Sequence, residues 1–331
     1  MIETVYVEEA LWCHPRVAAL RDRLGGRRWV RCRHYGEVFN PRSQDFRLQK
    51  RRPALIVGEK RSRLVLEAPA GYAIGGRHNY YFSHLLNCPY DCRYCFLQGM
   101  FRSAHFVWFV NYEDFRRAIE AAYAKHGGEA VYFFAGYDSD SLALEPLTGF
   151  AEFFLDSFAN MPENAFLELR SKSTNIRPLL RRQPRDNVVC AFSFTPPEVS
   201  RRWEAGVPPL ERRLQAVQKL QRHGWPVGLR FDPLIHVPDW RAQYRRLFEV
   251  LFAALDPGKV HSVSIGVFRL PARYYDRMTA LYPAEPLFHG PLTATGGMVA
   301  YRRELEQEMV EGCRRMLLDY LPPEKLFSCQ F

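Results

Sequence analysis

The sequence predicts an α/β fold in which parallel strands wrapped by helices form a partial (β/α)6-type barrel. Segments with strand-like and helix-like patterns alternate from about residue 79 to residue 270, and this succession is typical of parallel sheets. Several strands are continuous apolar runs, such as residues 130–135 and 188–194, as expected when helices cover both faces of a sheet. The 331 residues, 47% of them hydrophobic, suffice for such a core.

The barrel segment, residues 76–270, contains its elements in regular order. We predict them from hydrophobic period and from the glycines that follow helices, such as Gly224. Strands are predicted at 80–82, 130–135, 165–169, 188–194, 227–231 and 260–268, and helices at 112–126, 147–160, 210–223 and 240–255. Catalytic groups of such barrels lie at the carboxyl ends of the strands, so the segments that follow the strands are the first candidates.

Two smaller regions flank the barrel. Residues 1–75 are predicted to form an N-terminal basic α/β subdomain, with strands at 4–7, 28–32, 55–58 and 64–66 and a helix at 15–24. Residues 271–331 are predicted to form a C-terminal hairpin plus helix. The hairpin turns at Gly296-Gly297, because two glycines suit a two-residue turn, and the helix covers residues 304–320.

Three cysteines lie close together in the loop after the first barrel strand. Cys88, Cys92 and Cys95 have the spacing C-x3-C-x2-C. Three thiolates can hold three irons of a [4Fe–4S] cluster. The fourth iron then stays open for the amino and carboxylate groups of S-adenosylmethionine (SAM), and this spacing is the signature of radical SAM enzymes.

Other interpretations of these cysteines are a zinc site and three unrelated thiols. A structural zinc ion takes four ligands, usually from two separated pairs. His84 could complete a Cys3His set, but the sequence contains no second C-x2-C pair. We therefore favour the iron–sulfur cluster.

The charge distribution suggests a polyanionic partner. The chain has 46 Lys and Arg residues against 36 Asp and Glu residues. Between Arg27 and Arg63 there are twelve basic and three acidic residues, and arginine, which suits bidentate phosphate contacts, dominates. Nucleic acid is the first candidate, and the alternative is a solvated basic face without a partner.

The cysteine content indicates a cytoplasmic protein. Eight cysteines in 331 residues are too few for a disulfide scaffold and suit a reducing compartment. No apolar run is long enough to span a bilayer, and residues 1–4 do not begin a signal peptide. We expect a monomer in the cytoplasm with no membrane contact.

Motifs around the cysteine loop give the sequence a family resemblance. They are Tyr94-Cys95-Phe96-Leu97-Gln98 and Phe109-Val110-Asn111-Tyr112-Glu113, with further matches at residues 206–216 and 240–251. On these motifs the chain resembles the spore photoproduct lyase family, whose members are radical SAM enzymes that repair DNA. The resemblance runs from about residue 50 to residue 325.

The resemblance implies a mechanism and its cofactors. The reduced [4Fe–4S] cluster gives an electron to SAM, which splits into methionine and a 5′-deoxyadenosyl radical. That radical takes a hydrogen from a thymine dimer formed by ultraviolet light, the bridging C–C bond breaks, and a cysteine returns a hydrogen. The resemblance also implies an electron donor such as a flavodoxin or ferredoxin. In this mechanism the cofactors supply the radical chemistry.

The resemblance also assigns roles to residues. Cys88, Cys92 and Cys95 match the cluster ligands, Ser139, Lys172 and Ser193 match SAM contacts, and Tyr94 matches an aromatic residue near the active site. Independently, Ser139, Lys172 and Ser193 each lie at or after the end of a predicted strand, where a lysine can meet a carboxylate and hydroxyls can donate. The alternatives are a surface lysine and serines with turn or cap roles.

One position departs from the family pattern. The family's hydrogen-donating cysteine is expected just after the strand at 130–135, where this chain has Tyr137. No cysteine lies between Cys95 and Cys190. Phe96 likewise stands where the family tends to carry a second tyrosine.

Three explanations for the missing cysteine compete. Cys329 could fold back over the barrel mouth as the donor, and its alternative is a free thiol on a frayed end. Tyr137 could carry the radical step, or the product radical could recover its hydrogen from 5′-deoxyadenosine. The substrate could instead be another photoproduct. Cys190 is expected to pack in the core, and the weaker candidates are Cys13, Cys32 and Cys313.

The C-terminal hairpin is the predicted DNA-handling element. A lesion inside a duplex must be flipped out, and a hairpin can wedge the gap that it leaves. Met298, Tyr301 and Arg302 are the candidate contacts, and Arg51 and Arg52 add salt-dependent affinity for phosphate. The alternative is a hairpin that only covers one end of the barrel.

We therefore predict a radical SAM DNA repair lyase of the spore-photoproduct type that acts on UV-damaged duplex DNA. The first rival is a radical SAM enzyme for a different photoproduct, a peptide or a small metabolite. The second is a non-catalytic nucleic-acid-binding protein that carries zinc or a cluster. Iron content and reductive SAM cleavage separate the second rival from the other two.

Overall fold

The computed structural model describes residues 2–39, 41–42 and 44–329. A large curled sheet forms its centre, with smaller sheets towards both ends of the chain. The described strands are β1 (Thr4–Glu8), β2 (Arg28–Cys32), β3 (Leu55–Gly58), β4 (Val65–Glu67), β5 (His78–Phe82), β6 (Leu85–Leu86), β7 (Asp91–Cys92), β8 (Phe106–Phe109), β9 (Val131–Ala135), β10 (Ala165–Ser171), β11 (Val188–Ser193), β12 (Glu204–Ala205), β13 (Val227–Leu234), β14 (Val260–Val267), β15 (Arg269–Pro271), β16 (Leu292–Thr295), β17 (Met298–Tyr301) and β18 (Leu326–Ser328).

Helices connect and cover these strands. The described α-helices are α1 (Pro15–Leu24), α2 (Phe46–Arg51), α3 (Leu97–Met100), α4 (Tyr112–Ala124), α5 (Glu145–Thr148), α6 (Phe150–Ala159), α7 (Arg177–Leu180), α8 (Pro197–Trp203), α9 (Leu210–His223), α10 (Trp240–Ala254), α11 (Ala272–Leu281) and α12 (Arg303–Leu318). Short 3-10 turns lie at Glu9–Leu11, Tyr35–Glu37, Pro257–Lys259, Pro286–His289 and Pro323–Lys325. No helix in the described part of the chain is long and apolar enough to cross a membrane.

The large sheet has eight strands in the order β18-β14-β13-β11-β10-β9-β5-β4. Its six central strands, from β5 to β14, are all parallel and follow the same order in the sheet as in the chain. Leu167 of β10, for example, lies beside Phe133 of β9 and Val188 of β11. Because helices connect these strands, the structure confirms the predicted (β/α)6-type partial barrel.

Local sequence explains why these elements form. All six residues of β11 are buried, which fits a strand that is covered on both faces. Helix α9 buries Leu210, Leu214 and Val217 at helical spacing. It ends at Gly224, whose φ of 106° lies in the left-handed region that glycine adopts without strain. The bounds of α1 and α9 coincide with the predicted ones.

The N-terminal sheet, in the order β2-β1-β3-β8-β6, contains strands from both sides of residue 75. Strand β8 pairs in parallel with β3, and β6 pairs with β8 in antiparallel orientation. Strand β4, in contrast, pairs with β5 in the large sheet. Strand pairing therefore divides the chain differently from the predicted boundary at 75. Pairing between distant segments leaves no mark on the local hydrophobic period, so the sequence patterns did not reveal it.

The C-terminal region contains the predicted hairpin and helix. Strands β16 and β17 pair around Gly296-Gly297, with Thr295 opposite Met298. The two glycines have φ values of 60° and 78°, as a two-residue type I′ turn requires. After α12 the chain returns to the large sheet, where β18 pairs in parallel with β14. This last strand was not predicted.

Candidate active site

The carboxyl ends of the strands in the large sheet meet at one edge, and most of the predicted site residues lie there. The cysteine loop follows β5, whereas Tyr137 and Ser139 follow β9. Lys172 follows β10, Ser193 ends β11, and Cys329 follows β18. The parallel topology therefore brings together residues that lie far apart in the sequence.

The three cysteines lie between β6 and α3, and Cys92 ends the short strand β7. Cys92 is buried, and Cys88 and Cys95 are half-buried. Burial raises the pKa of the Cys88 and Cys95 thiols, whereas the backbone N–H groups of Tyr90 and Leu97, directed at these two sulfurs, lower it. Hydrogen bonds to sulfur tune the thiolates that hold an iron–sulfur cluster, so the loop fits this cofactor.

Other parts of the chain hold the cysteine loop in place. Lys50 of α2 donates to the carbonyl oxygens of Cys88 at 3.3 Å and Tyr90 at 3.4 Å. Strand β12 pairs with β7 and sets Glu204 opposite Cys92. Lys50 belongs to the basic stripe of the sequence, but its ammonium group faces the loop.

The geometry does not favour the zinc alternative. The His84 ring is buried in the core, where it stacks on Phe150 with ring centres 3.5 Å apart and meets Tyr112 edge-on. Within the described residues, no three His, Cys, Asp or Glu side chains converge in a way that could hold one metal ion. A four-iron cluster makes no such demand, because each thiolate binds a separate corner of the cluster.

Lys172 lies beside the cysteine loop. Its backbone N–H donates to Asp140 at 2.6 Å, which fixes the turn after β10. Its ammonium nitrogen is 3.9 Å from the Glu204 carboxylate and 5.7 Å from the centre of the Tyr94 ring. Burial raises the pKa of the Cys92 thiol, and Lys172 partly opposes this rise. A cation in this place can meet a carboxylate that binds next to the cysteines.

Tyr94 is buried in an ion-pair network next to the loop. Its hydroxyl donates to Glu204, which also pairs with Arg213 at 3.0 Å. Burial alone would raise the pKa of Glu204, but the charges of Lys172 and Arg213, together with hydrogen bonds from Tyr94 and Ser200, outweigh burial and lower it. Tyr94 is therefore a buried residue that supports the site beside the cysteines, and its ring is not exposed.

Hydroxyl groups at this edge include two without partners. Among the described residues, Ser139 Oγ and Thr195 Oγ1 are buried and have no hydrogen-bond partner. Ser193 Oγ accepts a long hydrogen bond, 3.5 Å, from Arg170 Nε. Buried polar atoms are rarely left unpaired, so a polar ligand such as SAM fits these groups. Thr195 was not among the predicted site residues, although it lies just beyond the carboxyl end of β11.

Tyr137 lies in a cluster of aromatic side chains. Its ring centre is 4.4 Å from that of Tyr81, 5.6 Å from that of Phe96 and 5.7 Å from that of Tyr72. Burial first, and then the neighbouring phenols, raise the pKa of Tyr137, so its phenol stays protonated at neutral pH. Because Phe96 directly follows Cys95, this cluster adjoins the cysteine loop.

A layer of buried and half-buried charged residues supports the aromatic cluster. Arg170 donates to the Tyr72 hydroxyl at 2.9 Å and lies 3.8 Å from the Asp232 carboxylate. Arg230 and Glu168 form a second pair at 2.7 Å. These residues alternate along β10 and β13, and alternate residues of a strand share one face. The sequence does indicate this layer, because charged residues stand at alternate positions of otherwise apolar strands. These residues were not among the predicted site residues.

Cys329 reaches this edge through β18. Its backbone N–H donates to the carbonyl of Ile265 in β14 at 2.8 Å, and the residue is 4% exposed. Burial, and then the charge of Asp232, raise the pKa of the Cys329 thiol to about 11, although Arg170 opposes them. Tyr72 is near enough to Cys329 for the charge of the thiolate to affect its pKa. Cys329 therefore lies at the same edge of the large sheet as the aromatic cluster that contains Tyr137.

The predicted DNA contacts fall into two groups. Those open to solvent are Arg51, Arg52, Arg302 and, half-buried, Met298. Tyr301 is buried, and its hydroxyl accepts a hydrogen bond from the backbone N–H of His236 at 2.8 Å. This arrangement argues against a DNA contact for Tyr301, which anchors the hairpin to the barrel instead.

Comparison with known proteins identifies the family. The family model of spore photoproduct lyase matches residues 47–277. The chain belongs to the spore photoproduct lyase family. Spore photoproduct lyase of Bacillus subtilis (strain 168) is 26% identical over 178 residues, which are 54% of this chain and 52% of the relative. That of Geobacillus sp. (strain Y412MC61) is 24% identical over 170 residues, 51% of this chain and 50% of the relative. In these matches the chain spans about half the length of the relatives.

Solved structures of spore photoproduct lyase share the fold over the whole chain. A mutant with bound AdoMet and dinucleoside spore photoproduct has a TM-score of 0.87 at 19% identity, and the match covers 100% of this chain and 99% of that chain. A second structure, complexed with dinucleoside spore photoproduct, has a TM-score of 0.84 at 19% identity and the same coverage. The half barrel and both flanking regions are thus features of the spore photoproduct lyase fold.

Proposed function

We propose that this chain is a radical SAM lyase that reverses a UV-induced thymine dimer of the spore-photoproduct type in DNA. The observation that carries the proposal is the loop of Cys88, Cys92 and Cys95 at the mouth of the half barrel, next to an aromatic cluster, in a member of this family. The solved relative with AdoMet and dinucleoside spore photoproduct supports the same cofactor and substrate class for this fold.

The chain offers suitable residues for both cofactors. The three cysteines would hold a [4Fe–4S] cluster, and Lys172 would pair with the carboxylate of SAM. Ser139, together with Ser193 and the unpredicted Thr195, would supply hydroxyls to the rest of that ligand. When bound, the two cofactors supply the 5′-deoxyadenosyl radical that takes a hydrogen from the lesion.

The aromatic cluster is the proposed contact for the lesion. Tyr137, Tyr81 and Phe96 present rings next to the cysteine loop, so a thymine dimer packed on them would lie near the bound SAM. These rings also exclude water from a carbon radical, which would otherwise be open to side reactions.

Hydrogen return is proposed to use Cys329 in place of the family's cysteine. A thiol donates a hydrogen atom only in its S–H form, and a pKa of about 11 keeps Cys329 in that form. The S–H bond breaks as the C–H bond of the repaired thymine forms, and the sulfur radical then recovers a hydrogen from 5′-deoxyadenosine. Tyr72, which lies near Cys329 and contacts Tyr137, offers a path between them. Tyr137 is the alternative donor.

DNA would approach from the side of the C-terminal hairpin. Met298 would wedge a gap left by a flipped lesion, and Arg302 would contact phosphate. Arg51 and Arg52, exposed at the end of α2, would add affinity for duplex DNA without sequence preference.

The remaining partners follow from the chemistry. Reduction of the cluster requires an electron donor such as a flavodoxin or ferredoxin. Free cysteines that hold an iron–sulfur cluster suit the reducing cytoplasm, where we place the protein as a monomer.

The proposal is tested with anaerobically reconstituted protein, dithionite, SAM and dinucleotide spore photoproduct, with mass spectrometry of 5′-deoxyadenosine and thymidine products. We expect both products, and neither from Cys92→Ala. SAM cleavage by Cys92→Ala would refute the cluster assignment. 5′-Deoxyadenosine without repair would reject spore photoproduct as the substrate in favour of another photolesion or a non-DNA substrate. If the iron-loaded wild type does not cleave SAM, the remaining interpretation is a non-catalytic nucleic-acid-binding protein.

A further inference from the structure

Three arginines and a tyrosine form a cationic surface beside the barrel mouth. Arg273, Tyr274 and Arg277 belong to α11, and Arg102 follows α3. Arg102 and Arg273 are exposed, whereas Tyr274 and Arg277 are half-buried. We call these four residues the arginine track.

Helix α11 packs directly on α3, the helix that follows the cysteine loop. Gly99 allows this contact, because a Cβ atom at that position would overlap the backbone of Tyr274. Arg277 donates to the carbonyl oxygens of Gly99 at 2.7 Å and Met100 at 3.2 Å. The position of the arginine track is therefore fixed relative to the cysteines.

The positive charges of the track lie close to one another. Burial, and then the charges of Arg102 and Arg273, lower the pKa of Arg277. Arg273 donates to the Tyr274 hydroxyl at 2.9 Å, so these hydrogen bonds of Arg273 and Arg277 go to a phenol and to carbonyl groups. Like charges held together cost free energy, and a bound polyanion offsets this cost.

The track connects the hairpin turn with the barrel mouth. The backbone N–H of Ala272 donates to the carbonyl of Gly297 at 2.8 Å, so α11 begins against the turn. Burial first, then the charge of Asp138 and, to a smaller extent, that of Tyr274 raise the pKa of Tyr81, so Tyr274 lies on the same side of the mouth as this phenol. Tyr81 in turn packs against Tyr137. A DNA strand whose lesion enters the mouth would thus pass beside Tyr274.

We propose that the arginine track binds the phosphate backbone next to the lesion, on the strand that carries it. The guanidinium group matches phosphate oxygens in a bidentate contact, and Tyr274 offers an aromatic face to a flanking base. The lesion in this inference rests on the proposed function, but the phosphate contact itself requires only DNA.

Binding to a fluorescent duplex over a series of NaCl concentrations tests the track. The variants are Arg102→Gln, Arg273→Gln and the double variant, while Arg277 is left intact because it holds α3. Each lost phosphate contact should reduce the slope of log affinity against log salt by about 0.9 and lower the affinity several-fold at low salt. Arg212→Gln, which removes an exposed charge from α9, is the matched control and should keep the wild-type slope.

Repair of the dinucleotide spore photoproduct by the same variants separates this inference from the proposed function. The dinucleotide has no phosphates beyond the lesion, so all variants should repair it as the wild type does. A wild-type salt slope in the double variant overturns the proposal. An unchanged slope with slower reduction by flavodoxin would assign the surface to the electron donor instead. If the arginine variants have reduced salt slopes but the wild type does not repair the dinucleotide, the phosphate contact of the arginine track is supported and the proposed lesion is rejected.

Discussion

Cys329 is the residue whose role the tertiary structure changes most, because β18 carries it to the barrel mouth. Cys329→Ala should leave SAM cleavage unchanged, since the three cluster cysteines remain. It should lower the yield of repaired thymine per 5′-deoxyadenosine several-fold, because the S–H donor is lost. Quantifying both products by mass spectrometry gives this ratio.

Cys313→Ala is the matched control for this variant, since it removes another buried thiol, from α12. Its product ratio should equal that of the wild type. If Cys329→Ala also keeps the wild-type ratio, Cys329 is not the donor, and Tyr137→Phe becomes the decisive variant.

Glu145 illustrates how burial of one residue makes stability depend on pH. Burial raises the pKa of Glu145 from 4.5 to about 7, although the backbone N–H groups of Ala151 and Glu152 oppose the rise. The unfolded chain releases this proton near pH 4.5, whereas the folded chain retains it. The contribution to stability is therefore complete below pH 4.5 and is lost as the pH rises through 7.

Glu145→Gln removes this titration but keeps an acceptor for the Ala151 N–H. Relative to the wild type, its free energy of unfolding should improve between pH 5 and pH 8 by up to roughly 2–3 kcal/mol. Urea unfolding at both pH values measures the difference. Parallel pH profiles for the two proteins would show that Glu145 does not titrate in this range.

Among the contacts between elements, that between α3 and α11 leaves no room for a methyl group at Gly99. Gly99→Ala would place its Cβ against the backbone of Tyr274, which cannot rotate away as a side chain would. We expect a loss of about 1–3 kcal/mol in the free energy of unfolding, as for overpacked sites in general. Iron content after reconstitution should fall as well, because α3 follows Cys95 directly.

Gly26→Ala is the control for this prediction. A Cβ at Gly26 would have no heavy atom within 4 Å, and the residue does not have a positive φ. Its free energy of unfolding should stay within about 0.5 kcal/mol of the wild type. Equal stabilities for the two alanine variants would mean that α11 can move away from α3 at little cost.

At the scale of the whole molecule, the two larger sheets exchange strands across the predicted boundary at residue 75. Residues 1–75 contain β1, β2 and β3 but lack β8, which completes their sheet. This fragment should therefore be unfolded by circular dichroism and show no dispersed amide resonances, whereas the full chain unfolds cooperatively. A folded fragment with a cooperative thermal transition would restore the boundary at 75.

Much of the candidate site could be predicted because it depends on short segments. The cysteine spacing lies within eight residues, and Ser139, Lys172 and Ser193 follow strands whose apolar runs are visible in the sequence. The half-buried pair Arg170–Asp232 and the buried pair Arg230–Glu168 could not be assigned, because each joins two strands that lie about sixty residues apart. Tyr72 was not predicted for the same reason, because its contacts with Arg170 and Tyr137 join residues that are far apart in the sequence.

Local sequence patterns account for the main helices and strands of the barrel, the half barrel that their alternation builds, the cysteine loop and the two-glycine turn. Each of these follows from neighbouring residues, through hydrophobic period, backbone freedom or ligand spacing. Three features are visible only in the folded structure: β8 joins the N-terminal sheet, Tyr301 is buried, and β18 brings Cys329 to the mouth. Those outcomes depend on which distant segments pair to bury apolar surface, and local patterns do not record the choice of partner.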